Sequence, residues 1–174
     1  MIGGLAFLLM GAAAANPATD VAAAPSPDLF ISTCLDGQSR LSSGAADAIS
    51  FADLPRELRQ RLGKPQSAQV WHLRAYGRAY LYILDYDADL DANPRICGLA
   101  SDYMNYNAAR ELVQRRLTGE VDPMTERSVQ WLDPKRGYKT LATTVGNFRV
   151  LQVNWLSNAE RLRITKAYQQ ITPE

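Results

Sequence analysis

The stretch SAQVWHLRAYGRAYLYILDYD, residues 67–87, decides the fold class. Two runs rich in aromatic and aliphatic residues flank Gly77-Arg78, and glycine at the first turn position is typical of a type II′ turn. The stretch therefore predicts a β-hairpin. A two-residue turn would pair His72 with Ile83, and the opposite face would then be the core face. That core face would carry Trp71, Leu73, Ala75, Tyr80, Tyr82 and Leu84.

Helical and strand patterns continue on both sides of this hairpin. Apolar residues at helical spacing predict helices over 51–64, 105–119 and 157–171. Short β-rich runs predict single strands over 95–101 and 127–132, and a second hairpin over 138–156 that turns at Gly146-Asn147. Its apolar face would be Tyr138, Ala142, Leu151, Val153 and Trp155.

Short hairpin links imply antiparallel pairing of the strands they connect. We therefore expect an α+β fold, a mostly antiparallel β-sheet with two hairpins that is packed by about three helices. For the helix starts, the sequence predicts Asp53 as the first N-cap and Asn105 or Asn107 as the second. Ser157 and Glu160 have the spacing of a capping box at the third.

The N-terminus differs in composition from the rest of the chain. It has no charged side chain before Asp20, and an apolar run is followed by an alanine-rich segment. This pattern predicts a signal peptide over residues 1–15, a flexible Ala- and Pro-rich linker over residues 16–28, and one domain over residues 29–174. We therefore expect a periplasmic or secreted protein after cleavage. The alternative is a membrane-associated subunit that keeps its apolar segment, although a stable span needs about 20 apolar residues.

Cys34 and Cys97 are the two cysteines of the chain. In an oxidising compartment an even pair predicts one disulfide. Such a bond would close a loop of roughly sixty residues, for which the chain-entropy estimate of stabilisation is about 4 kcal/mol. Two buried free thiols or one reactive thiol are the alternatives.

Phe30 and Cys34 form an early F-x-x-x-C pattern, and Cys97 follows in mid-chain within RIC. In this pattern the chain loosely resembles a class of uncharacterised exported proteobacterial proteins. The resemblance implies export and a disulfide, and the class has no assigned activity that would extend to this chain.

Asp85, Asp87, Asp89 and Asp91 alternate along the segment that follows the hairpin. Alternating carboxylates are found in calcium-binding loops, but the standard loop also needs a glycine at position six and a glutamate at position twelve. Neither residue is present in any of the three frames that start at Asp85, Asp87 or Asp89. We therefore expect a solvated acidic loop that discourages edge pairing, with a non-standard calcium site as the alternative.

His72 is the only histidine of the chain, and the predicted register places it near Asp85. A carboxylate can orient an imidazole for general-base catalysis, so the pair makes a small hydrolase a hypothesis. No nucleophile motif accompanies the pair, and a surface ion pair is the simpler interpretation.

The formal net charge of the chain is +1, with 19 basic and 18 acidic residues. This balance argues against nucleic-acid binding, which requires a clustered excess of Lys and Arg. The sequence indicates no cofactor. We therefore expect a non-catalytic binding or interaction module of unknown ligand. An inhibitor or adaptor of another envelope protein is one concrete form of such a module.

Overall fold

The computed structural model describes residues 26–171, apart from residues 38–40, 42–43, 75–76, 90–91, 118–119, 126–127 and 134. The predicted signal peptide and residues 16–25 of the predicted linker lie outside the described residues. The last linker residues are already structured, because Ser26 Oγ accepts the backbone N–H of Asp28 at 3.1 Å and caps the first helix.

Eight strands and four α-helices make up the described part of the chain. The helices are α1 (Pro27–Phe30), α2 (Arg56–Leu62), α3 (Tyr106–Arg116) and α4 (Asn158–Ile171). A π-helical turn, Ile31–Leu35, follows α1, and a 3₁₀ turn, Phe51–Asp53, precedes α2. The strands are β1 (Ala46–Ile49), β2 (Ser67–Leu73), β3 (Ala79–Asp85), β4 (Arg95–Ser101), β5 (Glu120–Thr125), β6 (Ser128–Asp133), β7 (Tyr138–Val145) and β8 (Phe148–Trp155).

All eight strands form one sheet in the order β1-β2-β3-β4-β8-β7-β6-β5, and every neighbouring pair is antiparallel. The sheet consists of two four-stranded meanders, β1–β4 and β5–β8, which join where β4 pairs with β8. The predicted α+β class with an antiparallel sheet is confirmed. The two predicted hairpins are only part of the sheet, because each belongs to a larger meander and the edge strands β1 and β5 were not predicted.

The sheet buries both of its faces. On one face, Leu81, Cys97, Leu99 and Val153 belong to a core that includes Phe30 of α1 and Val113 of α3. On the other face, a second core is centred on α2. Its members are Leu54, Leu58, Leu62, Val70, Tyr80, Tyr82, Leu84, Ala100, Phe148 and Val150. We call these the α3 face and the α2 face.

The predicted register of the first hairpin is wrong. Ile83 pairs with Gln69, while His72 pairs with Tyr80. Trp71 and Leu73 consequently share the α3 face with Leu81, whereas Tyr80, Tyr82 and Leu84 belong to the α2 face. Ala75, the remaining residue of the predicted core face, lies outside the described residues.

A long-range contact explains this error. The connection between β2 and β3 is longer than the predicted two-residue turn, and Asp102 holds its end. The Asp102 carboxylate accepts the backbone N–H of Arg78 at 2.8 Å and its Nε–H at 2.9 Å. Gly77 has a φ of 78° and lies so close to Asp102 that a Cβ would be 2.7 Å from the carboxylate. Because both faces are buried, the apolar pattern of the hairpin could not select the register by itself.

The second hairpin agrees with its prediction. Val145 pairs with Phe148 across the turn at Gly146-Asn147, and Tyr138 pairs with Trp155 at the other end. The helix starts agree in part. Asn105, one of the two predicted candidates, caps α3, because its Oδ1 accepts the Ala108 N–H at 3.2 Å. Asp53 is not an N-cap: Ser50 caps the 3₁₀ turn, and α2 begins after Pro55 without a side-chain cap.

At α4, Ser157 Oγ accepts the Glu160 N–H at 3.3 Å, which is half of the predicted capping box. The other half is absent, because the Glu160 carboxylate binds Arg163 and the Ser157 N–H is donated to Ala92 O.

One row across the α2 face depends on a glycine. Tyr82, Gly98 and Gln152 lie side by side on β3, β4 and β8. The Tyr82 ring lies across Gly98, and its hydroxyl donates to Gln152 Oε1 at 2.9 Å. A Cβ at Gly98 would overlap the phenol ring of Tyr82. The absent side chain of Gly98 is therefore what allows the buried tyrosine to reach its partner two strands away.

We predict that Gly98→Ala lowers the free energy of unfolding by at least about 1–3 kcal/mol, because the added methyl group forces the buried Tyr82 ring to move. Urea denaturation would measure the loss. The same substitution in a Tyr82→Leu background should cost clearly less, since the overlapping ring atoms are gone. An equal cost in both backgrounds would show that the overlap is not the cause.

Candidate functional site

A disulfide joins the N-terminal segment to the middle of the sheet. Cys34 of the π-helical turn and Cys97 of β4 are bonded, with their Cα atoms 5.5 Å apart, which confirms the predicted pairing. Both residues are buried. Arg116 Nη2 lies 3.0 Å from Asp36 Oδ1 and ties the same segment to α3. The segment is therefore held covalently at one strand and by an ion pair at one helix.

A groove of about 430 Å³ lies beside the disulfide, and we call it the disulfide groove. Its apolar lining comes from the two cysteines, Leu35, Ile83 and Trp155, and its polar lining from Thr33, Asp36, Gly37 and Arg95. Arg95 and Trp155 are direct partners across β4 and β8. A cavity of this size is within the usual range for small-ligand sites, about 300–1,000 Å³.

Arg95 is the basic side chain of the groove, and its interactions with neighbouring groups are long. Its guanidinium carbon lies 6.0 Å from the centre of the Trp155 ring, a cation–π arrangement. Its Nη1 atom lies 3.7 Å from Asp85 Oδ1, beyond hydrogen-bonding distance. The part of the chain that the structure describes provides no hydrogen bond to its five N–H groups. The ring therefore positions a guanidinium whose donors remain open to a ligand.

Arg78, near the other end of the sheet, shows the contrasting arrangement. Its guanidinium carbon lies 4.9 Å above the Phe148 ring, but its Nε–H is donated to Asp102. This hydrogen bond raises the pKa of Arg78. Burial raises the pKa of the Asp102 carboxyl, but the hydrogen bonds from Arg78 outweigh burial and leave that pKa below its ordinary value. Arg78 and Asp102 therefore satisfy each other, whereas Arg95 has no equally close carboxylate.

Thr33 lines the groove and carries a buried hydroxyl. The residue is 6% exposed, and its hydroxyl has no hydrogen-bond partner in the structure. Thr140 Oγ1 and Trp131 Nε1 are also buried and unpartnered, and these two residues are neighbours across β6 and β7. Of these three residues, Thr33 is the one that lines the disulfide groove.

A second groove, of about 700 Å³, lies between the acidic loop and the start of α4. Its residues include Asp89, Pro94, Leu156, Glu160 and Arg163. The charges of α4 in this groove are already paired, because two nitrogens of Arg163 bind the two carboxylate oxygens of Glu160 at 2.8 and 2.7 Å. The hydrogen bond from Arg163 lowers the pKa of Glu160.

The structure does not bring His72 and Asp85 together. His72 lies beside Tyr80 on the α2 face, with ring centroids 5.3 Å apart. Asp85 pairs with Ser67 at the opposite end of the hairpin, accepts the Ser67 hydroxyl at 2.8 Å, and belongs to the other face. The predicted proximity is wrong, because it followed from the wrong register.

The acidic loop is described in part. Asp85 binds Ser67, and Asp87 Oδ1 accepts the backbone N–H of Asp89 at 3.0 Å, as in an Asx turn. Asp91 lies outside the described residues. Within those residues, no group of three or more His, Cys, Asp or Glu side chains is placed to hold a metal ion. Calcium binding at this loop stays a prediction.

Sequence reasoning found the cysteines of the groove but did not predict that Arg95 and Trp155 would lie beside them. Arg95 and Trp155 are far apart in the chain and meet only through the pairing of β4 with β8. The sequence did contain one signal, because both residues lie within predicted strands. It contained no information on which strands would be neighbours.

Comparison with known proteins leaves the fold and the groove as the basis for assigning a function. No family model matches the chain, and neither the curated proteins nor the solved structures include a significant match. Among the described residues, no helix combines the length and the apolar character that crossing a membrane requires.

We predict that Thr33→Val raises the free energy of unfolding by about 1 kcal/mol, because it removes a buried hydroxyl that has no partner. Thr140→Val should behave in the same way. The control is Ser101→Ala, since the buried Ser101 hydroxyl accepts the Tyr103 N–H at 3.1 Å and its loss should destabilise the protein. Thermal and urea denaturation would measure all three. Destabilisation by Thr33→Val would mean that its hydroxyl has a partner in solution.

Proposed function

We propose that this chain is an exported, non-catalytic binding module that is stapled by Cys34–Cys97 and binds another envelope protein through the disulfide groove. The observation that carries the proposal is the pair Arg95 and Trp155, which is partly exposed beside an apolar lining. Trp and Arg are the residue types most enriched among those that dominate binding energy at interfaces.

The framework around the groove supports this role. Arg95 and Trp155 are placed on adjacent, paired strands, and the facing segment is fixed by a disulfide and by the Asp36–Arg116 ion pair. Binding residues on a rigid framework lose little conformational entropy when a partner docks. The groove therefore has the pre-organisation that a binding site needs.

Export is supported by the disulfide and by the sequence. Structural disulfides persist in oxidising compartments such as the periplasm. The signal-peptide pattern over residues 1–15 and the loose resemblance to exported proteobacterial proteins through Phe30, Cys34 and Cys97 agree with the same location.

The proposal predicts a processed, oxidised protein with a partner that depends on the groove. The native protein would be cross-linked in the intact envelope, purified and analysed by mass spectrometry. We expect an N-terminus near Asn16, an intact disulfide, and a partner whose recovery falls at least about tenfold in Trp155→Ala, as for a hot-spot residue.

Leu162→Ala is the matched control, because Leu162 is an exposed apolar residue, 63% accessible, outside the lining of the disulfide groove. It should leave recovery of the partner unchanged. A retained Met1, reduced cysteines, or equal recovery with Trp155→Ala and wild type would each contradict the proposal.

A further inference from the structure

The lining of the disulfide groove points to the chemistry of its occupant. We propose that the groove binds the C-terminus of a partner polypeptide, with the free carboxylate on Arg95 and the apolar last side chain against the disulfide, Ile83 and Trp155. This inference rests on the proposed function, because it names the part of the partner that the same groove receives.

The balance of charges selects a carboxylate. The groove contains one acidic and one basic side chain, Asp36 and Arg95. Asp36 is neutralised by Arg116 at 3.0 Å, whereas the nearest carboxylate to Arg95 is Asp85 at 3.7 Å. A guanidinium has five N–H groups in a planar fork that matches a carboxylate in a bidentate arrangement. The Trp155 ring, 6.0 Å from the guanidinium carbon, keeps this fork beside the apolar lining.

The Thr33 hydroxyl supplies a second polar contact. Thr33 lines the groove, and its hydroxyl is buried and has no partner within the described chain. A buried polar group without a hydrogen bond is costly, so a ligand that supplies an acceptor or a donor there removes the cost. A chain terminus offers both, through its carboxylate oxygens and its last amide group.

The apolar lining and the size of the groove favour a short chain end. The disulfide, Leu35, Ile83 and Trp155 can surround one apolar side chain beside the charged group. A volume of about 430 Å³ is small for a folded element and suits one or two residues. The groove is open rather than enclosed, so the rest of the peptide can leave it, whereas the alkyl chain of a fatty acid would remain exposed to water.

The test uses a fluorescein-labelled pentapeptide, Gly-Ser-Gly-Ala-Leu, as the free acid and as the C-terminal amide. Fluorescence anisotropy would measure the affinity of the full mature protein for each. We expect saturable binding of the free acid and at least about tenfold weaker binding of the amide, because the charge-assisted hydrogen bonds to Arg95 are lost. A peptide that ends in Asp should also bind more weakly.

Two pairs of variants separate the groove from general effects on folding. Arg95→Met should weaken binding of the free acid about 10- to 100-fold, while Arg78→Met removes an equivalent arginine on an aromatic ring and should leave binding unchanged. Thr33→Val should weaken binding, while Thr140→Val removes an equally buried, unpartnered hydroxyl and should not. Melting temperatures of all four would confirm that they are folded.

Three outcomes would overturn the inference: no saturable binding of the free acid, equal affinity for acid and amide, or displacement of the peptide by decanoate at lower concentration than by unlabelled peptide. The proposed function is judged separately. If Trp155→Ala abolishes capture of the envelope partner but acid and amide bind equally, the binding function stands and the C-terminal specificity falls. If the acid binds selectively but no partner is captured through the groove, the C-terminal specificity stands and the proposed binding of an envelope protein falls.

Discussion

β4 pairs with β8 along its whole length, from Arg95 opposite Trp155 to Ser101 opposite Arg149. This contact joins two meanders that would otherwise be separate four-stranded sheets, each with an unprotected edge strand. It also brings together the residues on which the rest of the structure depends. On the α2 face it places Gly98 between Tyr82 and Gln152, and at one end of the α3 face it places Arg95 beside Trp155.

The disulfide uses the same central position. Cys97 lies in β4 opposite Val153 of β8, so the N-terminal segment is attached at the junction of the two meanders rather than at an edge. The attachment allows Phe30 to be fully buried in the core of the α3 face. It also places Thr33 and Asp36 beside Arg95 and Trp155, and in this way a bond that stabilises the fold completes the groove.

Local patterns in the sequence predicted the helices, strands and turns better than they predicted how the strands pair. The turn at Gly146-Asn147 and the cap of α3 depend on residues close in the chain; the turn was predicted correctly, and Asn105 is one of the two predicted caps. The register of the first hairpin depends on Asp102, which binds Arg78 from the far end of β4, so no pattern within residues 67–87 could show it. The edge strand β1 was missed because its four residues, Ala46–Ile49, carry too short a pattern.

In the candidate site, too, some features could be predicted from the sequence and others depend on the fold. The cysteines could be paired from their number and the expected compartment, because that inference needs no knowledge of the fold. Arg95 is a candidate ligand-binding residue because no group of the described residues accepts a hydrogen bond from it. A sequence does not show which carboxylates come near a given arginine. Arg78 and Arg95 each lie near an aromatic ring, yet Asp102 accepts a hydrogen bond from Arg78, whereas the Asp85 carboxylate is 3.7 Å from Arg95. That difference arises only from the three-dimensional arrangement, and it is the physical reason to place ligand binding at Arg95 rather than at Arg78.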